Sequence, residues 1–170
     1  TFLIQHITEL LCSRIKVWSP VSLQGSSAAF LMADVLSKEQ RQKCMSHIKS
    51  KNTKPEVLVR RFLFAHGFRF RLHRKDLPGK PDIVLPKYKT VIFINGCFWH
   101  GHSDCKYATI PETNRKFWLS KISGNIERDK STYAKLDALG WRVVEIWQCQ
   151  LKPKTKDQTL NNLITELQNE

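Results

Sequence analysis

The sequence predicts an α/β protein in which helices flank a mixed sheet. Three observations carry this. Short apolar runs at Ile83-Val84-Leu85, at Val91-Ile92-Phe93-Ile94 and around Val143-Val144 and Ile146 are bounded by turn residues, as buried strands are. Segments before, between and after them repeat apolar residues at helical spacing. The last two strands are separated by a long helical stretch, and a helical crossover makes neighbouring strands parallel, whereas the short turn Pro86-Lys87-Tyr88-Lys89 sends the preceding pair back on itself.

Residues 1–31 do not share the pattern and read as an extension outside the fold, or else a short docking helix; a single domain is expected over residues 32–170. Ser37-Lys38-Glu39-Gln40 is a capping box that opens a basic helix carrying Arg41, Lys43 and Lys49 with Met45 and Ile48. Thr53-Lys54-Pro55-Glu56 is a second one, with proline in the first turn; Val57, Leu58, Phe62 and Ala65 follow at helical spacing and Gly67 closes the helix. Phe68 to Leu72 alternates apolar and basic residues, the mark of a half-buried strand. Leu77 to Pro81 is a loop, and strands are expected from Asp82, from Thr90 and from Trp141. Thr113 caps the long helix holding Phe117, Trp118, Ile122, Ile126, Tyr133, Leu136 and Leu139, with a kink expected at Gly124 and an end at Gly140. A last helix from about Asp157 repeats Leu160, Leu163, Ile164 and Leu167.

A formal net charge of +13 in 170 residues favours a polyanionic partner. The charge is concentrated: residues 32–80 hold thirteen Lys/Arg against four Asp/Glu. No long apolar span accompanies it, so nucleic acid is expected before membrane. Five cysteines without a secretory leader suit a reduced, cytoplasmic setting, where clustered Cys and His bind metal more often than they form disulfides.

The stretch Asn95 to Cys105 packs two thiols, two imidazoles and an aromatic pair into eleven residues. Cys97 lies just past one of the two parallel strands and Cys149 just past the other, so both are expected at one rim of the sheet. With His102 and Cys105 they make a Cys₃His set that suits tetrahedral structural zinc; His100 is a rival ligand, and free thiols beside a satisfied histidine are the plainer reading.

Asp82 stands where the loop Gly79-Lys80-Pro81 enters a strand. A carboxylate facing a phosphodiester needs a cation between them, and Mg²⁺ held by carboxylate, backbone carbonyl and phosphate oxygens supplies one. The carbonyl of Ile94 is the candidate second protein ligand and Glu56 the best second acid, although the capping box alone also accounts for Glu56. His100 is the candidate general acid or base, and Glu127 and Asp129 read as charges on the surface or just outside the site.

Leu77-Pro78-Gly79-Lys80-Pro81-Asp82, Val91 to His100, Asn125-Ile126-Glu127-Arg128-Asp129, Gly140 to Val144 and Ile146 to Cys149 together resemble the very-short-patch-repair (T:G mismatch) DNA endonuclease family, over about Met32 to Leu167. The resemblance implies a three-layer restriction-endonuclease-like fold related to the PD-(D/E)xK nucleases. It implies a nick 5′ to the mismatched thymine in duplex DNA, initiating very short patch repair. Mg²⁺ is implied at Asp82 and Ile94, His100 as the catalytic histidine, Glu56 as its supporting acid, and Zn²⁺ at Cys97, His102, Cys105 and Cys149. Phe98, Trp99 and Trp118 match aromatics that wedge into the base stack; Met45 matches a residue on the minor-groove side, on the helix whose Arg41 and Lys43 are candidate DNA contacts. A bacterial, nucleoid-associated monomer working beside mismatch-repair proteins is implied. Two departures stand against the resemblance: the zinc loop has only two residues between His102 and Cys105, and the Glu-x-Lys of the wider superfamily is absent from Val91–Ile94. Two other readings stay open: a restriction-type endonuclease of the same superfamily that cuts perfect sites, and a zinc-stabilised DNA-binding module without catalysis.

Overall fold

The computed structural model describes residues 38–47 and 51–168. The chain divides near residue 50, and helix α1 (Lys38–Ser46), in the first unit, is described by itself. Lys43 is exposed on it; the side chains of Arg41 and Met45, the cap Ser37, Ile48 and Lys49, and the whole of residues 1–31 lie outside the described residues.

The second unit runs α2 (Lys54–Ala65), β1 (Arg71–Leu72), β2 (Ile83–Leu85), β3 (Thr90–Asn95), α3 (Arg115–Ala138), β4 (Arg142–Trp147) and α4 (Lys156–Gln168). The four strands lie in sequence order, with β1–β2 and β2–β3 antiparallel and β3–β4 parallel, so the mixed sheet is as expected. β1 is shorter than the five residues its alternation suggested: only Arg71 and Leu72 pair with β2, and both are exposed.

Side chains alternate across the sheet. Ile83, Leu85, Ile92, Val144 and Ile146 meet Val59 and Leu63 of α2 and Leu160, Leu163 and Leu167 of α4 on one face. Val84 and Val91 meet Leu136 of α3 on the other, with Phe93, Trp141 and Val143 packed beside them. Helices therefore cover both faces, which is why β2 is a continuous apolar run instead of an alternating one. α3 passes unbroken through Gly124, and Asn114 precedes it in a left-handed conformation with no side-chain cap, so the Thr113 cap does not form.

α2 departs from expectation in its buried face. Thr53 caps it and Pro55 sits in its first turn as anticipated. The buried stripe, however, is Glu56, Val59, Arg60 and Leu63, while Val57, Leu58 and Phe62 are only half-buried and Ala65 is exposed. The two charges on this core-facing stripe are paired with each other, as buried charges usually are.

Gly79 ties the loop before β2 to α3. Its φ is +70°, and a Cβ there would lie 2.3 Å from Cγ2 of Thr132. Gly79→Ala should therefore destabilise the fold by about 2–4 kcal/mol, combining left-handed strain with overpacking, as read by urea unfolding.

Candidate functional site

Parallel register builds the cysteine cluster. Asn95 pairs with Trp147 at the ends of β3 and β4, and Cys97 and Cys149 each follow two residues later. The loop after β3 then turns tightly: the N–H groups of His100 and His102 donate to the carbonyls of Gly96 (3.1 Å) and Cys97 (3.0 Å). This brings His102 and Cys105 back to the same rim, and the ligand atoms of Cys97, His102, Cys105 and Cys149 all lie within 4.8 Å of one another. The His102 ring stacks on Trp147 with centroids 4.1 Å apart and planes within 3°, which fixes its orientation; its Nδ1 is 3.4 Å from Cys149 Sγ. Burial pushes the Cys97 thiol up to about 12 and raises that of Cys149 as well. Three sulfurs with one imidazole are the soft, four-donor set zinc takes. The cluster can thus hold a metal ion with the four residues that the sequence singled out.

Asp82 immediately precedes β2, whose Ile83 pairs with Ile92 of β3. Its Oδ2 accepts the backbone N–H of Ile94 at 2.8 Å, so the carboxylate and the Ile94 backbone share one site. Burial pushes the Asp82 carboxyl above its ordinary range; the Ile94 N–H opposes this, Glu56 adds to it as a like charge, and His73 and Arg60 oppose it. Glu56 is 4% exposed, and its partners are Arg60 at 2.5 Å, the Thr53 hydroxyl at 2.8 Å and the Asn52 N–H at 2.9 Å. The sequence reading missed Arg60, although its place four residues after Glu56 is the helical spacing for an ion pair.

His100 has a different acid beside it. Its Nδ1 lies 2.6 Å from Asp129 Oδ2, both side chains being half-buried. With Nδ1–H donating to the carboxylate, Nε2 is left to face a reactant. Asp129, expected as a peripheral charge, therefore contacts the histidine directly, whereas Glu56, expected to support it, is bonded to α2 and its preceding loop. One helical turn earlier, Asn125 donates to the Trp99 carbonyl at 2.7 Å. Gly101, at φ +61°, leaves room for Ile122 and Ile126 of α3, which a Cβ would approach to 3.0 and 2.6 Å. The segment Asn125 to Asp129 is thus the brace that seats the loop carrying His100.

Phe98, Trp99 and Trp118 form one edge-to-face cluster, with centroids 5.1, 5.2 and 6.0 Å apart. None of the three is buried, so packing alone does not account for them. Among the described residues no helix is long and apolar enough to cross a membrane.

Known proteins match this chain over most of its length. The family model "DNA mismatch endonuclease Vsr" matches residues 33–107. The type II nicking enzyme V.NmeAIP of Neisseria meningitidis is 50% identical over 137 residues, 80% of this chain and 97% of that protein. The type II nicking enzyme V.XorIIP of Xanthomonas oryzae is 51% identical over 120 residues, 71% and 88% of the two chains. The DNA mismatch endonuclease Vsr of Escherichia coli is 41% identical over 137 residues, 79% and 87%. With half of the aligned residues identical across nearly the whole of one relative, the chain belongs to the Vsr family of DNA mismatch endonucleases.

Proposed function

We propose that this protein is a DNA mismatch endonuclease of restriction-endonuclease-like fold, its catalytic domain running from about residue 32, that nicks duplex DNA 5′ to the thymine of a T:G pair. The observation that carries the reading is the pairing of His100 with Asp129 on a loop whose base is tied by four metal-binding side chains, next to a strand that shares its backbone with Asp82.

The donor set at Asp82 is made of hard oxygens, with a half-buried carboxylate whose charged form burial disfavours; that suits Mg²⁺. When bound there, Mg²⁺ would neutralise charge on the scissile phosphate and lower the energy of the attacking and leaving oxygens. Asp82 and the Ile94 carbonyl would hold it. His100, oriented by Asp129, moves a proton through Nε2, from the attacking water or to the leaving oxygen. Cys97, His102, Cys105 and Cys149 would hold a structural Zn²⁺, which would stiffen the loop so that Phe98 and Trp99, backed by Trp118, could enter the base stack without yielding. A mispaired step is easier to unstack than a perfect one, so a stiff wedge reads the mismatch through deformability. Arg41, Lys43 and Met45 of α1 are assigned to the DNA backbone and minor groove.

The test is strand-specific nicking of one labelled duplex carrying T:G or T:A. Nicking of the T:G duplex alone, 5′ to the thymine, is expected. Equal cleavage of both would replace the reading with a sequence-specific nicking enzyme, and binding without cleavage would leave only a DNA-binding module. Asp129→Asn should slow single-turnover nicking by about 10- to 100-fold with little change in duplex affinity, because it frees the ring that His100 presents.

A further inference from the structure

Asn125, Asp129 and Tyr133 follow one another at four-residue spacing, so they share one face of α3. The first two reach the loop after β3, at the Trp99 carbonyl (2.7 Å) and His100 Nδ1 (2.6 Å). The third reaches the strand itself. Asn95, the last residue of β3 and 3% exposed, donates to the Tyr133 hydroxyl oxygen at 3.0 Å and to Glu145 Oε1 of β4 at 2.9 Å. Tyr133 donates to the same Glu145 oxygen at 2.6 Å. Each of these side chains therefore bonds the other two, and they come from β3, α3 and β4. The Tyr133 ring also packs on Phe93, the residue opposite Glu145 in the parallel register, with centroids 5.2 Å apart. Burial and the Glu145 carboxylate hold the Tyr133 hydroxyl above its ordinary range, so it stays a donor.

The place of this ring of hydrogen bonds says what it is for. Asn95 follows Ile94 in the chain, and the Ile94 N–H donates to Asp82 Oδ2 at 2.8 Å. Tyr133 lies one helical turn beyond Asp129, which contacts His100. The strands thus carry the Asp82 half of the site, and α3 with the loop carries the His100 half. Apolar contacts such as those of Val84 and Val91 with Leu136 are non-directional and tolerate sliding of a helix over a sheet. A closed set of hydrogen bonds admits far less. We propose that Tyr133 and Glu145 are positioning residues: with Asn95 they lock α3 to the ends of β3 and β4, and so set where Asp129 and His100 stand relative to Asp82. This rests on the nuclease reading given above.

The experiment measures single-turnover nicking of a T:G duplex, and affinity for it, with zinc-loaded protein. Tyr133→Phe keeps the ring on Phe93 and removes only the hydroxyl. It should nick at least about fivefold more slowly while duplex affinity stays within about twofold of wild type. In an Asp129→Asn background, where the histidine is already released, the same substitution should slow nicking by less than about twofold. A tie that serves stability alone would slow both backgrounds equally or neither, and either result overturns the proposal. Glu145→Gln keeps an oxygen for both donors and should nick within about twofold of wild type, whereas Glu145→Leu should match Tyr133→Phe. Equal rates for the two Glu145 variants overturn the proposal as well, and they decide it should Tyr133→Phe not fold. Wild-type protein that does not nick the T:G duplex removes the nuclease reading itself, and the proposal with it.

Discussion

Asp82→Asn should nick a T:G duplex at least about 10³-fold more slowly than wild type, the loss of roughly 4 kcal/mol of transition-state stabilisation that a missing metal carboxylate implies. Asparagine keeps an oxygen to accept the Ile94 N–H, so the loop and strand should stay in place. Duplex binding should be unchanged or tighter, since a negative charge facing phosphate has gone. The same variant carries a stability signature. Because burial raises the Asp82 carboxyl in the folded chain, the ionised form is disfavoured there. The folded state therefore binds its proton more tightly than the unfolded one, and stability falls as pH rises through the folded pKa. In magnesium-free buffer at neutral pH the variant should melt at or above wild type, and the difference should shrink as pH falls through the raised folded pKa and vanish below the ordinary carboxylate range. Thermal melts across pH read this directly. A variant that nicks normally would remove Asp82 from the chemistry.

Cys149→Ser should release the bound zinc and destabilise the second unit by several kcal/mol. Structural zinc sites of this kind contribute on the order of 10 kcal/mol of apparent binding energy, part of which the remaining three ligands retain. The reason lies in topology: Cys149 joins the end of β4 to a loop that leaves the end of β3, and His102 is stacked on Trp147 of β4. Losing that ligand lets the loop carrying Phe98, Trp99 and His100 move as a whole. Mismatch nicking should therefore fall together with zinc content, measured by metal analysis of the purified protein, and the melting transition should move down and broaden. Full retention of zinc by Cys149→Ser would refute the ligand set.

Several features were legible from the chain alone because they depend on short-range rules. Strand-length apolar runs gave β2, β3 and β4 nearly to the residue. A helical crossover forces adjacent strands to run parallel, and from that alone Cys97 and Cys149, 52 residues apart in the sequence, were expected at one rim, as they are. The end of the sheet where chemistry gathers could likewise be read from the residues leaving β3.

Tertiary structure decided what local pattern cannot. Periodicity in α2 pointed to Val57, Leu58, Phe62 and Ala65, yet the helix turns Glu56 and Arg60 inward, where they pair with each other and Glu56 bonds the preceding loop. Which acid contacts His100 was equally hidden: Asp129 looked like one more charge on a long polar helix, and the packing of α3 against Gly101 brings it to 2.6 Å. Sequence spacing fixes which residues share a face of one element. Which face meets which neighbour is set by side chains distant in the chain competing for the same space, and the burial of the Glu56–Arg60 pair and the contact of His100 with Asp129 were settled at that level.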